Sequence, residues 1–284
     1  MANSAPIGVF DSGLGGLTVL KEIIARLPRE STVYLGDTAR VPYGIRSPEV
    51  VTRYSLENMR FLLGKSIKML VIACNTASAI SLSELKLEAP VPVIGVIEPG
   101  ARAAIQASKT GRIGVIGTET TIKSGAYRRM IERLEPGARV FSKACPLFVP
   151  LAEEGWVDNE VARLTADSYL ADLKNEGIDT LLLGCTHYPL LKKTLARVIG
   201  EGVTLIDSAI ETAREIEKTL AEGAISSPAD ASPKRQFFVT DSPERFKTLG
   251  GRFLEGPNPS PGGPSSIKEV KLTEVWNEAG WQKK

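Results

Sequence analysis

Residues 69–76 read Met-Leu-Val-Ile-Ala-Cys-Asn-Thr, and residues 180–187 read Thr-Leu-Leu-Leu-Gly-Cys-Thr-His. Each is an apolar run of buried-strand length that ends in a small residue, a cysteine and a short polar side chain. Aligned on their cysteines they lie 111 residues apart, and other landmarks repeat at nearly the same offset. Ile7-Gly8-Val9-Phe10 matches Ile113-Gly114-Val115-Ile116 at 106, Val41-Pro42 matches Val149-Pro150 at 108, and Val93-Ile94 matches Leu205-Ile206 at 112. Four landmarks in one order, drifting only where loops tolerate insertion, describe an internal duplication.

Between the landmarks, strand-length apolar runs alternate with amphipathic stretches of helical period, the pattern of βαβ units around a parallel sheet. In the first half strands are expected at 7–10, 33–35, 69–73 and 91–96. Helices are expected after Leu17, from Ser47-Pro48-Glu49, and over 78–87. In the second half strands are expected at 113–116, 140–142, 180–183 and 203–206, with helices near 121–134 and 158–173. A helix around 210–220, a strand at 236–239 and a helix start at Asp241-Ser242-Pro243-Glu244 follow. Four prolines and three glycines between Gly256 and Pro264 mark a long loop. The fold class is α/β, with two similar lobes of mainly parallel sheet related by a pseudo-twofold axis and a site in the cleft between them. The first lobe is expected to be discontinuous, residues 1–97 plus 208–284, and the second to span 98–207.

A chain of 284 residues has room for about two domains. Its 35 basic and 33 acidic side chains leave a formal charge of +2, without the excess that nucleic-acid or membrane partners require. Three cysteines, none in a C-x-x-C pair, do not make a disulfide framework and fit a reducing cytoplasm. The single histidine, His187, leaves no His/Cys zinc cluster, and no metal is expected, although carboxylates alone can hold one. No apolar run approaches a membrane span and the first residues do not read as a signal peptide, so a cytoplasmic protein is expected.

Ligands of open α/β sheets bind outside the carboxyl ends of strands, which is where Cys74 and Cys185 fall. Either alone reads more readily as a small buried hydrophobe, as Cys145, which has no repeat partner, does. The symmetry favours two thiols facing each other across a cleft. Asp11-Ser12-Gly13-Leu14-Gly15-Gly16, between a strand and a helix, reads as an anion-binding turn or simply a tight one. As a dinucleotide fingerprint it is incomplete, because Thr18 stands where a third glycine or alanine belongs. His187 shares a loop with Cys185, and Glu153-Glu154 reads as a solvated helix start. No candidate strand-end loop carries the lysine a pyridoxal-phosphate enzyme needs, so no cofactor is expected. Two opposed thiols are suited to proton transfer at carbon, where one removes a proton and the other returns a proton to the opposite face.

The segments Asp11–Gly16, Gly36-Asp37 with Val41-Pro42-Tyr43-Gly44, Cys74-Asn75-Thr76-Ala77-Ser78 and Gly184-Cys185-Thr186-His187-Tyr188-Pro189 resemble the glutamate racemases, within the cofactor-independent aspartate/glutamate racemase superfamily. The resemblance implies that Cys74 acts on D-glutamate and Cys185 on L-glutamate. It implies that Asp11, His187 and Glu153 assist the thiols, with Glu154 the alternative to Glu153. It also implies that Asp11, Ser12, Tyr43, Gly44, Asn75, Thr76, Thr186 and His187 bind substrate. Members of the family are commonly homodimers and supply D-glutamate for the peptidoglycan of the bacterial cell wall. The alternatives are a two-lobed binder of small anions or nucleotides without catalysis, or a racemase of another amino acid such as aspartate.

Overall fold

The computed structural model describes residues 3–255 and the short strand Ile267–Glu269. The loop expected between Gly256 and Pro264 lies outside the described residues. The chain begins with β1 (Ile7–Asp11), α1 (Leu17–Arg26), β2 (Thr32–Gly36), α2 (Pro48–Leu63), β3 (Met69–Ile72), α3 (Asn75–Glu88), β4 (Val93–Gly95) and α4 (Ile97–Ala107). There follow β5 (Arg112–Gly117), α5 (Glu119–Lys123), α6 (Ala126–Leu134), β6 (Arg139–Ala144), α7 (Phe148–Glu154), α8 (Glu160–Asn175), β7 (Thr180–Gly184), α9 (Lys192–Ile199) and β8 (Thr204–Asp207). The last elements are α10 (Ser208–Glu222), β9 (Arg235–Val239), α11 (Pro243–Glu255) and β10 (Ile267–Glu269).

Two wholly parallel sheets result, ordered β10-β9-β2-β1-β3-β4 and β6-β5-β7-β8. Four consecutive strands of the first, β2-β1-β3-β4, repeat in order as β6-β5-β7-β8 in the second, so the duplication seen in sequence is one of strand topology. Both faces of each sheet are covered, which is why the strands are continuously apolar rather than alternating. Side chains still alternate between faces: Val9 packs with α1, α10 and α11, whereas its neighbour Phe10 packs with α2 and α3. Ile116, Leu181 and Leu183 meet α7, α8 and α9, and Ile113, Val115 and Leu182 meet α4 and α6 on the other face.

Several elements depart from the pattern read in sequence. The helix expected at 121–134 is two, because Gly125 at φ +65° breaks the run. The helix α4 escaped notice because Pro99 and Gly100 sit in it, yet both are buried and the proline falls in the first turn, where its missing N–H costs no bond. The strand expected over 91–96 is confined to Val93–Gly95. The Val-Pro landmark is a match in sequence only: Val41-Pro42 lies in a loop with a cis bond, whereas Val149-Pro150 lies inside α7. Glu153 and Glu154 therefore end a helix rather than start one.

After β8 the chain enters α10, which packs on α1 and on α4, and then adds β9 beside β2. A buried ion pair secures this return. Lys68 Nζ, just before β3, lies 2.6 Å from Glu30 Oε2 and 2.6 Å from the Asn3 carbonyl, and Ser227 donates to Glu30 through both its N–H and its hydroxyl. Removing one charge from such a pair strands the other in the interior. Lys68→Met is expected to destabilise the protein by about 3–5 kcal/mol, read as a lower urea midpoint. The double variant Lys68→Met/Glu30→Gln should recover part of that loss, and a Lys68→Met midpoint equal to wild type would contradict the assignment.

Candidate active site

The carboxyl ends of β1 and β3 in one sheet and of β7 in the other carry the residues singled out by sequence. Cys74 caps α3, its Sγ accepting from the Ala77 N–H at 3.5 Å, and its thiol donates to Ser12 Oγ at 3.7 Å. Cys185 follows β7, with Sγ 3.9 Å from His187 Nδ1. Both thiols are 95% buried and free.

The glycine turn explains how the two sets of residues come together. A Cβ on Gly15 would lie 2.2 Å from Thr186 Oγ1 and 2.5 Å from His187 Nδ1, so the second lobe's loop rests against this backbone and only glycine fits. Thr18, the residue that spoils the dinucleotide fingerprint, donates its hydroxyl to the Thr186 carbonyl at 3.0 Å. The turn is a seat for the opposite lobe. Because Ser12 in the same turn meets Cys74, one short segment touches both thiol neighbourhoods.

Asp11 is fully buried, with one oxygen accepting from the Gly13 N–H at 2.8 Å and the other, Oδ1, without a hydrogen-bond partner among the described residues. Burial raises its pKa, against the lowering effects of the His187 charge and the Gly13 bond. The Cys74 thiol is pushed up to about 12, first by burial and then by the neighbouring Asp11 charge, so it is held protonated. Across the cleft, His187 Nε2 lies 3.1 Å from Glu153 Oε1. Burial disfavours the imidazolium, but its contacts with Cys185 and Glu153 outweigh that and raise it to about 10. Glu153 is lowered, burial being overcome by His187 and by Arg245. Of the acidic pair, Glu153 reaches the histidine while Glu154 is exposed.

Asn75 accepts from the Tyr127 hydroxyl at 2.6 Å, and its amide Nδ2 is buried with no partner among the described residues. Thr76 Oγ1 lies 3.0 Å from Thr118 Oγ1 and 3.1 Å from Thr121 Oγ1, closing a ring of three hydroxyls between the lobes. Gly44 abuts this ring: a Cβ there would lie 2.7 Å from Thr118, and its carbonyl accepts from Thr120 at 2.8 Å. Tyr43 precedes Gly44, but its side chain is turned to other partners. Its buried phenol is committed to Asp37 and Asn58, and Asp37 is itself held by Arg40 and Thr240. Sequence reasoning missed Thr118, Thr121 and Tyr127. The repeat contained the signal for the first, since Ser12 shifted by the β1-to-β5 offset of 106 is Thr118.

Among the described residues no cluster of three His, Cys, Asp or Glu side chains is arranged to hold a metal, and no helix is long and apolar enough to cross a membrane. A cleft of about 130 Å³ opens beside Glu153, lined also by Gly13, Leu14, Val41, Ser242, Arg245 and Phe246.

Known proteins carry the same architecture. The Asp/Glu/Hydantoin racemase family matches residues 7–216. A glutamate racemase from Geobacter metallireducens is 58% identical over 250 residues, which cover 88% of this chain and 93% of that protein. The crystal structure of glutamate racemase isoform RacE1 from Bacillus anthracis superposes with a TM-score of 0.88 at 44% identity, covering 94% of this chain and 98% of that one. That of glutamate racemase from Francisella tularensis subsp. tularensis SCHU S4, in complex with D-glutamate, superposes with a TM-score of 0.87 at 35% identity, covering 95% and 99%. With likeness of this extent in sequence and in fold, the chain belongs to the Asp/Glu/Hydantoin racemase family, alongside its glutamate racemases.

Proposed function

We propose that this protein interconverts L- and D-glutamate without an organic cofactor or metal, using Cys74 and Cys185 on opposite faces of the α-carbon. The observation that carries this reading is the pair of buried thiols at equivalent strand ends, each with its own ionisable neighbour: Asp11 for Cys74, His187 with Glu153 for Cys185. The substrate is supported by the relatives' identity as glutamate racemases and by the D-glutamate complex of the Francisella protein.

The proton balance is simple. In the L-to-D direction the Cys185 thiolate removes the α-proton, and the Cys74 thiol delivers its own proton to the other face. The reverse reaction exchanges the roles. Because burial and Asp11 hold Cys74 protonated, that thiol is a ready donor, and it becomes a base by passing its proton to the buried Asp11 carboxylate. His187 performs the matching transfer for Cys185, steadied by Glu153. Around the α-carbon, the unpartnered Asn75 amide is assigned to one substrate carboxylate. The Thr76–Thr118–Thr121 ring and the Gly44 backbone are assigned to the other. Ser12, Tyr43 through its backbone, and Thr186 complete the enclosure. On the same reading the protein works in the cytoplasm as a homodimer and supplies D-glutamate for peptidoglycan.

Chelator-treated protein free of pyridoxal phosphate is expected to racemise glutamate, followed by circular dichroism. Alanine and glutamine should react far more slowly, because each leaves buried donors unpaired. Activity that appears only with added pyridoxal phosphate or metal, or comparable rates with alanine, would contradict the proposal.

Cys74→Ala and Cys185→Ala should each reduce racemisation on the order of a thousandfold, the range of a lost acid–base group. In heavy water, exchange without inversion should persist for D-glutamate in Cys185→Ala and for L-glutamate in Cys74→Ala. Near wild-type racemisation by either variant would refute the two-thiol assignment.

A further inference from the structure

The Glu153 carboxylate is shared between lobes. One oxygen, Oε1, meets His187 Nε2 at 3.1 Å, and the other, Oε2, meets Arg245 Nη2 at 3.2 Å. Arg245 is carried on α11, whose Phe246 and Phe253 are buried in the core of the first sheet, whereas Glu153 lies in α7 and His187 follows β7, both packed with the second. Two further contacts from the same helix converge on the spot. Arg252 Nη1 donates to the Glu153 carbonyl at 3.1 Å, and the Phe253 ring stands perpendicular to the His187 ring at 5.3 Å. A surface ion pair would be worth little, and Arg245 is itself 62% exposed. Glu153 is different: only 18% of its side chain is exposed and the oxygen not facing Arg245, Oε1, is spent on a buried imidazole.

We infer that Arg245 is a positioning residue for the proposed reaction: by fixing one oxygen of Glu153 from across the cleft, it turns the other onto His187 and so aligns the imidazole with Cys185. This rests on the two-thiol reading for its catalytic meaning, but the alignment itself is observable without catalysis. His187 is faced by Glu153, with Arg245 and Arg252 behind it, on one side, and by Cys185 and the Asp11 charge on the other. Of the contacts favouring the imidazolium, the Glu153 bond is the one that depends on α11. Freed from Arg245, the carboxylate can rotate toward the open cleft that both residues line, and the imidazolium then loses part of the support that offsets its burial. Weaker contact means that His187 gives up its proton at lower pH, and this outweighs the opposite, solvent-screened effect of losing the exposed Arg245 charge.

Because His187 is the chain's single histidine, its imidazole resonances are unambiguous in an NMR titration. Arg245→Gln, at an exposed guanidinium, is expected to lower the titration midpoint by about half a pH unit or more. It should also reduce kcat/KM for glutamate on the order of threefold to tenfold, with the alkaline limb of the rate profile moving the same way. The reduction must be equal in both directions, since enantiomers have an equilibrium constant of one. Arg245→Lys, which keeps the charge, should lie between the variant and wild type in both measurements. A midpoint that stays at the wild-type value or moves upward overturns the inference, as does a loss of rate with an unmoved midpoint. If the wild-type protein does not racemise glutamate, the proposed function fails, while the NMR titration still decides whether Arg245 positions the dyad.

Discussion

The contact of the Gly15 backbone with Thr186 and His187 sets how closely the two sheets can approach. Nothing larger than hydrogen fits at Gly15, and the Thr18 hydroxyl pins the opposing loop from the same turn. Each sheet ends its strands toward the other, so this one approach brings the Cys74 neighbourhood, through Ser12, against the Cys185 neighbourhood, through His187. Everything chemical in the cleft depends on that distance. A parallel sheet exposes a ligand-ready edge only at the carboxyl ends of its strands. Duplication supplies a second edge to face the first.

Electrostatics then divides the two halves. The Cys74 side is an acid paired with a thiol, both pushed toward their protonated forms by burial. The Cys185 side is a thiol beside an imidazole that its contacts with Cys185 and Glu153 keep charged. In the mechanism proposed, unequal surroundings let one thiol be ready to give a proton while the other is ready to take one, although the strand ends that bear them are equivalent. Burial makes both arrangements possible, since the same groups in water would interact weakly.

Much of this was legible in the sequence because the duplication repeats strand by strand. The apolar runs ending at Cys74 and Cys185 fix two strands and two half-sites together, and the strand orders of the sheets agree. What escaped reading has specific causes. Helix α4 was hidden by Pro99 and Gly100, which are tolerated because they lie at its start and in its packed interior. Glu153 reads in sequence as a helix start, whereas it ends α7, a short helix that begins just before the Val149-Pro150 landmark and that no apolar period announces. Thr118 and Thr121 carry no motif of their own and matter only through contact with Thr76 from the other lobe. Arg245 reaches the site from a segment with no counterpart in the repeat, a tertiary contact that no local pattern announces.

The central claim, that a separate thiol serves each face of the α-carbon, is tested most directly by the fate of the α-hydrogen during the first turnovers of wild-type protein in heavy water. Two thiols acting on opposite faces predict that newly formed D-glutamate from protiated L-glutamate carries solvent deuterium at the α-carbon while unreacted L-glutamate remains protiated, with the converse pattern from D-glutamate. Product that retains the substrate's own hydrogen would mean that one base serves both faces and would contradict the claim.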